Sequence, residues 1–233
     1  MSTSTKHAEA APGTRITICM PDDFHHHVRE GAKTAAVLQH ACQRFGRALI
    51  MPNTKPPVTT TEQALEYRQH VIKSLPVGAS LEPLMTLYLT DKTSAEEIIK
   101  ASAAGIVGCK YYPAGATTNS DFGVTDVKNC YPALEEMKKQ NMMLCIHSEV
   151  THADIFEREP VFIEEIMKPL VADFPGLKIT MEHISTREAV DYVTTAPDHV
   201  KASITCHHLL YNRNRKYIPM DVHFMHAASC MRW

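Results

Sequence analysis

Strand-length apolar runs alternate with helix-length amphipathic stretches along almost the whole chain, and this alternation is what most restricts its fold. Ile16–Cys19 leads into a histidine run, and Lys33–Phe45 reads as a helix. Arg47–Met51 is a short apolar run ended by Pro52 and Asn53. Thr61–Leu75 is helical with Thr61 as the expected cap, and Leu84–Leu89 is strand-like. Ser94 opens a helix to Ala104, with Glu97 placed for a capping box. Ile106–Tyr112, Met142–His147, Leu177–His183 and Val200–Cys206 read as further strands. Between them lie helices over Asp126–Gln140, Pro160–Phe174 and Thr186–Thr195. Repeated strand–helix units with short, buried strands predict a parallel α/β architecture.

Two parallel architectures fit such a pattern, a doubly wound sheet and a (β/α)8 barrel. No glycine-rich phosphate loop follows the first strand, which weighs against a dinucleotide-binding sheet. Polar, metal-competent residues recur instead where apolar runs end: His25, His27, Asn53, Lys110, His147 and His183. A barrel converges the carboxyl ends of its strands on one site. The expectation is therefore an incomplete (β/α)8 TIM-type barrel with about seven of its eight strands. The expected boundaries are a tail over 1–14, a barrel domain over 15–223 and a divergent segment over 224–233.

Composition narrows the function classes. The 233 residues are 44% hydrophobic and 21% charged, ordinary for a globular chain with a real core. A formal charge of −2 gives no electrostatic case for nucleic acid or an anionic membrane. No apolar run is long enough to span a bilayer, and residues 1–14 lack the apolar centre of a secretory signal. The 7 cysteines are odd in number and dispersed. They argue against a disulfide framework or a cysteine zinc site, and for a reducing, cytoplasmic compartment.

The histidines carry the chemistry. Side chains alternate across a strand, so His25 and His27 point the same way and His26 the other. Paired imidazoles at a strand end can hold a metal, and His147 and His183 end two later strands. Lys110 fits less simply. An ammonium beside cations is repelled and pays for desolvation. It either snorkels to solvent or has reacted with carbon dioxide to give a carbamate able to bridge two cations.

The residues that carry these features also carry a resemblance. The stretches Pro21–Arg29 (PDDFHHHVR), Met51–Thr60 (MPNTKPPVTT), Pro83–Thr90 (PLMTLYLT) and Lys110–Asn119 (KYYPAGATTN) resemble those of a class II dihydroorotase of the amidohydrolase superfamily. So do His147–Asp154 (HSEVTHAD), Glu182–Thr186 (EHIST) and His208–Asn214 (HLLYNRN). They are collinear over roughly residues 16–223. The resemblance implies reversible ring closure of N-carbamoyl-L-aspartate to L-dihydroorotate, a step of pyrimidine synthesis. It also implies two Zn2+ ions, one on His25 and His27 and the other on His147 and His183, bridged by N6-carboxylated Lys110. Arg29 and Asn53 would hold the substrate carboxylate, and Thr117 and Thr118 would lie on a loop that closes over it. The implied partner is that small molecule, with a homodimer among the expected assemblies.

One departure stands out. The family's general acid is an aspartate in a Gly-Thr-Asp-Ser-Ala-Pro-His motif on an eighth strand, and no such motif occurs in the 233 residues. The catalytic acid is accordingly unassigned. Asp221 and His226 are weak substitutes, better read as ordinary surface residues. Two expectations follow: a zinc cyclic-amide hydrolase, or a metal-binding fragment of one with impaired catalysis.

Overall fold

A computed structural model describes residues 13–15 and 17–210. The expected tail segment before Gly13, the 224–233 segment, and the positions of Asp221 and His226 lie outside the described residues, as does most of the His208–Asn214 stretch. Seven strands form one sheet: β1 (Asp22–His26), β2 (Arg47–Ile50), β3 (Glu82–Leu89), β4 (Gly108–Tyr111), β5 (Met143–His147), β6 (Lys178–Glu182) and β7 (Val200–Ala202). Each strand pairs in parallel with the next in sequence order. The intervening helices are α1 (Ala32–Ala41), α2 (Thr61–Lys73), α3 (Ala95–Ala103) and α4 (Tyr131–Lys139), then α5 (Arg158–Phe162), α6 (Lys168–Asp173), α7 (Arg187–Thr195) and α8 (Cys206–Leu210). A π turn over Ile163–Met167 joins α5 to α6, so the single helix expected there is continuous but locally widened.

The sheet is curled, not flat. In a flat sheet β1 and β6 would lie five strand spacings apart, about 24 Å at ~4.8 Å per strand. Instead His25 Nδ1 on β1 lies 3.0 Å from Glu182 Oε1 on β6. Only closure toward a cylinder brings those two strands together, and seven parallel strands so curled make an incomplete (β/α)8 barrel.

The apolar residues partition accordingly. The larger core packs the outer sheet face against the helices, with Leu38, Val71, Ile98, Leu134, Phe162 and Leu170 buried beneath it. A smaller cluster of Leu49, Met51 and Cys145, backed by Leu84, Val107 and Met143, is separate from it, as a barrel's interior packing is from its helical layer. Gly108 is required where β4 passes β5, because a Cβ there would overlap the Met143 carbonyl.

Several local expectations are corrected. The first strand starts at Asp22 and not in the Ile16–Cys19 run expected to lead into the histidines; it is the polar run Asp22–His26, with His25 near its end, while the described residues Thr17 to Cys19 are exposed and outside any strand. Asp23 and His26 can be buried there because they bond to each other, His26 Nδ1 to Asp23 Oδ2 at 2.8 Å, across a break in the β1–β2 register. Thr60, not Thr61, caps α2, accepting from Gln63 N while the Gln63 side chain bonds back. Ser94 does cap α3, but Glu97 does not close a box. Its carboxylate accepts from Thr61 N at 2.5 Å and Thr61 Oγ1 at 2.6 Å, tying α3 to α2. The seventh strand stops at Ala202, short of the expected Cys206, which instead opens α8.

Candidate metal centre and carboxylate pocket

Four imidazoles meet inside the curl. His25 near the end of β1 and His27 just beyond it bring their Nε2 atoms to 3.0 Å, as same-side positions on an extended chain should. His147 is the last residue of β5 and His183 follows β6, and His147 Nδ1 lies 3.3 Å from His183 Nε2. The His25 and His183 rings are 5.1 Å apart, joining the two pairs into one cluster.

Lys110 lies under the cluster on β4 and is fully buried, so the snorkelling reading is excluded. Its Nζ is paired with Glu182 Oε2 and sits 4.9 Å from the centre of the Tyr112 ring. Glu182 is also fully buried. Burial alone would raise its pKa, but the charges of His25 and Lys110 outweigh that and hold it at about 2.

The electrostatics favour neutral imidazoles at His147 and His183. Burial depresses His147, and burial followed by the Lys110 charge depresses His183 further. Such rings keep a lone pair for a metal at neutral pH. His147 Nε2 is buried and 3.6 Å from Glu149 Oε2, beyond hydrogen-bond reach. A buried polar nitrogen without a bond is costly, so this donor set fits a divalent cation. The nearest grouping of mixed ligand atoms is His25, Glu182 and His183, all within 4.8 Å of one another.

A cavity of about 410 Å³ opens beside His27, lined also by Arg29, Met51, Asn53, Tyr67 and Asn119. Its size suits a small organic ligand. Arg29 reaches it from a left-handed backbone, φ 66. The loop after β4 docks on its rim. Asn53 Nδ2 donates to the Thr118 carbonyl at 3.2 Å, Asn119 Nδ2 donates to the Asn53 carbonyl at 3.0 Å, and Tyr88 OH donates to the Asn119 carbonyl at 3.2 Å. Thr117 and Thr118 are exposed on this loop, with Thr117 held at its amide and carbonyl by Ser120 Oγ.

The structure thus gathers His25, His27, Lys110, His147 and His183 in one cluster and sets Arg29 and Asn53 in the adjoining cavity. Glu182 and Asn119 were not assigned roles from sequence. Regular alternation would point Glu182 away from His183's side. His183 has φ 46, and this left-handed step lets both face the cluster. Three of the four described non-glycine residues with positive φ, Arg29, Asn119 and His183, border the site. His152 lies on the loop after β5, exposed and 3.2 Å from Glu165.

A curled parallel barrel with imidazoles and a buried lysine at or near its strand ends is an arrangement that can hold metal ions, and the sequence places it in a family. The pattern of the amidohydrolase family matches residues 18–224, and the chain belongs to that family. Its relatives are more particular. It is 57% identical over 203 residues to the dihydroorotase of Leptothrix cholodnii, covering 86% of this chain and 59% of the relative. For the dihydroorotase of Cupriavidus pinatubonensis the identity is 59% over 203 residues, with coverage of 86% and 59%. The chain therefore spans about 59% of the length of these curated relatives. Among solved structures, the dihydroorotase of Campylobacter jejuni superposes with a TM-score of 0.76 at 34% identity, covering 82% of this chain and 55% of that one. The Saccharomyces cerevisiae dihydroorotase in complex with 5-fluoroorotic acid gives 0.77 at 32% identity, covering 85% and 59%. An L-hydantoinase from Arthrobacter aurescens, at 17% identity and a TM-score of 0.65, shares the fold alone. No helix of the described residues is long and apolar enough to cross a membrane.

Proposed function

We propose that this chain carries the metal centre and substrate pocket of a dihydroorotase, interconverting N-carbamoyl-L-aspartate and L-dihydroorotate in pyrimidine synthesis. One observation carries the reading. Four clustered imidazoles around buried Lys110 adjoin a cavity that presents Arg29 and Asn53. His25 and His27 would hold one Zn2+, His147 and His183 the other, and Lys110, carboxylated on Nζ, would bridge them. Bound zinc supplies Lewis-acid polarisation of the ring amide and activation of the attacking water.

The chain's own residues do the rest. The Arg29 guanidinium offers paired donors matched to a carboxylate, and the Asn53 amide adds a directional one. Asn53 Nδ2 carries two hydrogens, one donated to the Thr118 carbonyl and the second left for a substrate carboxylate. The same amide would then tie a bound carboxylate to the Thr117–Thr118 loop, and closure over the ligand excludes water. Fixing the carboxylate aligns the ring amide with the imidazole cluster, and orientation is a large share of catalysis.

The test is zinc content and dihydroorotate turnover of the purified chain. Arg29→Met should weaken substrate binding by about 10–150-fold, from roughly 1.5–3 kcal/mol for a hydrogen bond to a charged group. Zinc binding without turnover would remove the catalytic reading and leave a metal-binding protein. Absence of both would remove the proposal.

A further inference from the structure

We infer that Glu182 is a positioning residue of the metal centre, which holds the His25 proton on Nδ1 and so leaves Nε2 free to bind metal. This rests on the metal-centre reading above. Glu182 belongs to neither the imidazole set nor the substrate pocket, yet its carboxylate is buried at their base. Oε2 takes the Lys110 ammonium, and Oε1 lies 3.0 Å from His25 Nδ1. The second contact is bent, short of standard hydrogen-bond geometry.

The angle weakens the contact but leaves its sign. An ionised carboxylate is an acceptor only, and a neutral imidazole carries one proton on one of its two nitrogens. An Nδ1 lone pair 3.0 Å from a carboxylate oxygen would set two electron-rich atoms against each other. When His25 carries a single proton, that proton therefore sits on Nδ1. The lone pair then sits on Nε2, the atom that faces His27 Nε2 at 3.0 Å. In the metal-free protein His27 donates across that gap, and in the loaded protein the same lone pair serves the metal. A metal-ligating histidine commonly has its other nitrogen so held, and the partner fixes tautomer and ring orientation. Lys110 then has a defined place as well, since one carboxylate locates both the amine to be carboxylated and a ligand of the first ion.

The left-handed step at His183 makes this arrangement available. It lets β6 aim Glu182 at its neighbours while His183 joins the cluster. A regular strand would send one of the two to the helical layer.

The experiment uses the full chain with 15N-labelled histidine, stripped of metal, and long-range imidazole 15N–1H correlation spectra. His25, assigned with His25→Gln, is expected as the Nδ1–H tautomer in the wild type. In Glu182→Leu it should shift toward the Nε2–H form, and zinc affinity by chelator competition should fall 10–100-fold. Glu182→Gln keeps an acceptor oxygen and should retain the tautomer with a smaller loss. An Nε2–H tautomer in the wild type overturns the inference, even if Glu182→Leu fails to fold. An unchanged zinc affinity in folded Glu182→Leu overturns it too. Failure of the wild type to bind zinc would strike the metal reading instead, while the metal-free spectrum would still decide the tautomer.

Discussion

Replacing Lys110 by methionine removes one charge from a site where its partner has no route to water. Lys110 and Glu182 are both 0% exposed. Glu182 is held at about 2 against an ordinary 4.5, with burial opposing and the charges of His25 and Lys110 prevailing. At ~1.36 kcal/mol per unit, the gap corresponds to roughly 3 kcal/mol of stability at neutral pH. Deleting one member of a buried pair leaves the other uncompensated, which typically costs about 3–5 kcal/mol. For a chain of this size that is a fall in Tm of roughly 6–20 °C. The assay is urea and thermal unfolding of metal-free protein in bicarbonate-free buffer. The sign of the pH dependence is fixed. The folded carboxyl is depressed, so its contribution is present in full above pH 4.5 and is lost as pH falls toward about 2. The deficit of Lys110→Met should therefore shrink on acidification, because its Glu182 can protonate. Lys110→Met combined with Glu182→Leu should recover most of the stability, since an apolar pair can replace a buried ion pair. Equal stability of the single and double variants, or a deficit independent of pH, would refute the reasoning.

Three further outcomes are expected. Burial depresses His147 and His183 below 6.5, so the unfolded chain binds protons that the folded site refuses. Metal-free stability should fall as pH drops through 6.5, read from urea midpoints between pH 7.5 and 5.5. Glu159 on α5 accepts from Ser185 N at 3.1 Å, Thr186 N at 2.8 Å and Thr186 Oγ1 at 2.5 Å, anchoring the turn that follows His183. Glu159→Ala should cost about 1–3 kcal/mol by leaving those donors unsatisfied, seen as a lower urea midpoint. Zinc should raise Tm, with about 2.7 kcal/mol of stabilisation at a free concentration of 100 times its Kd, and a chelator should reverse it. A Tm unmoved by zinc would count against the metal centre.

The sequence by itself determined the alternation of strands and helices, and with it the parallel order, because both periodicities are local properties of the chain. It also placed His25, His27, Lys110, His147 and His183 at or near strand ends, since an apolar run that stops at a histidine is visible without coordinates. It began β1 too early, in the apolar run at Ile16–Cys19, because Asp22 and Asp23 look too polar for a strand until Asp23 and His26 are seen to satisfy each other. Glu97 shows the same limit, as its carboxylate serves Thr61 on another helix instead of its own cap. Glu182 was the largest omission. Its role depends on a positive φ at His183 and on partners from β1 and β4 far away in sequence. Curling of the sheet decided which residues meet, and burial together with neighbouring charges then decided their protonation. Both arise from the whole chain excluding water at once, and no local window of sequence contains that.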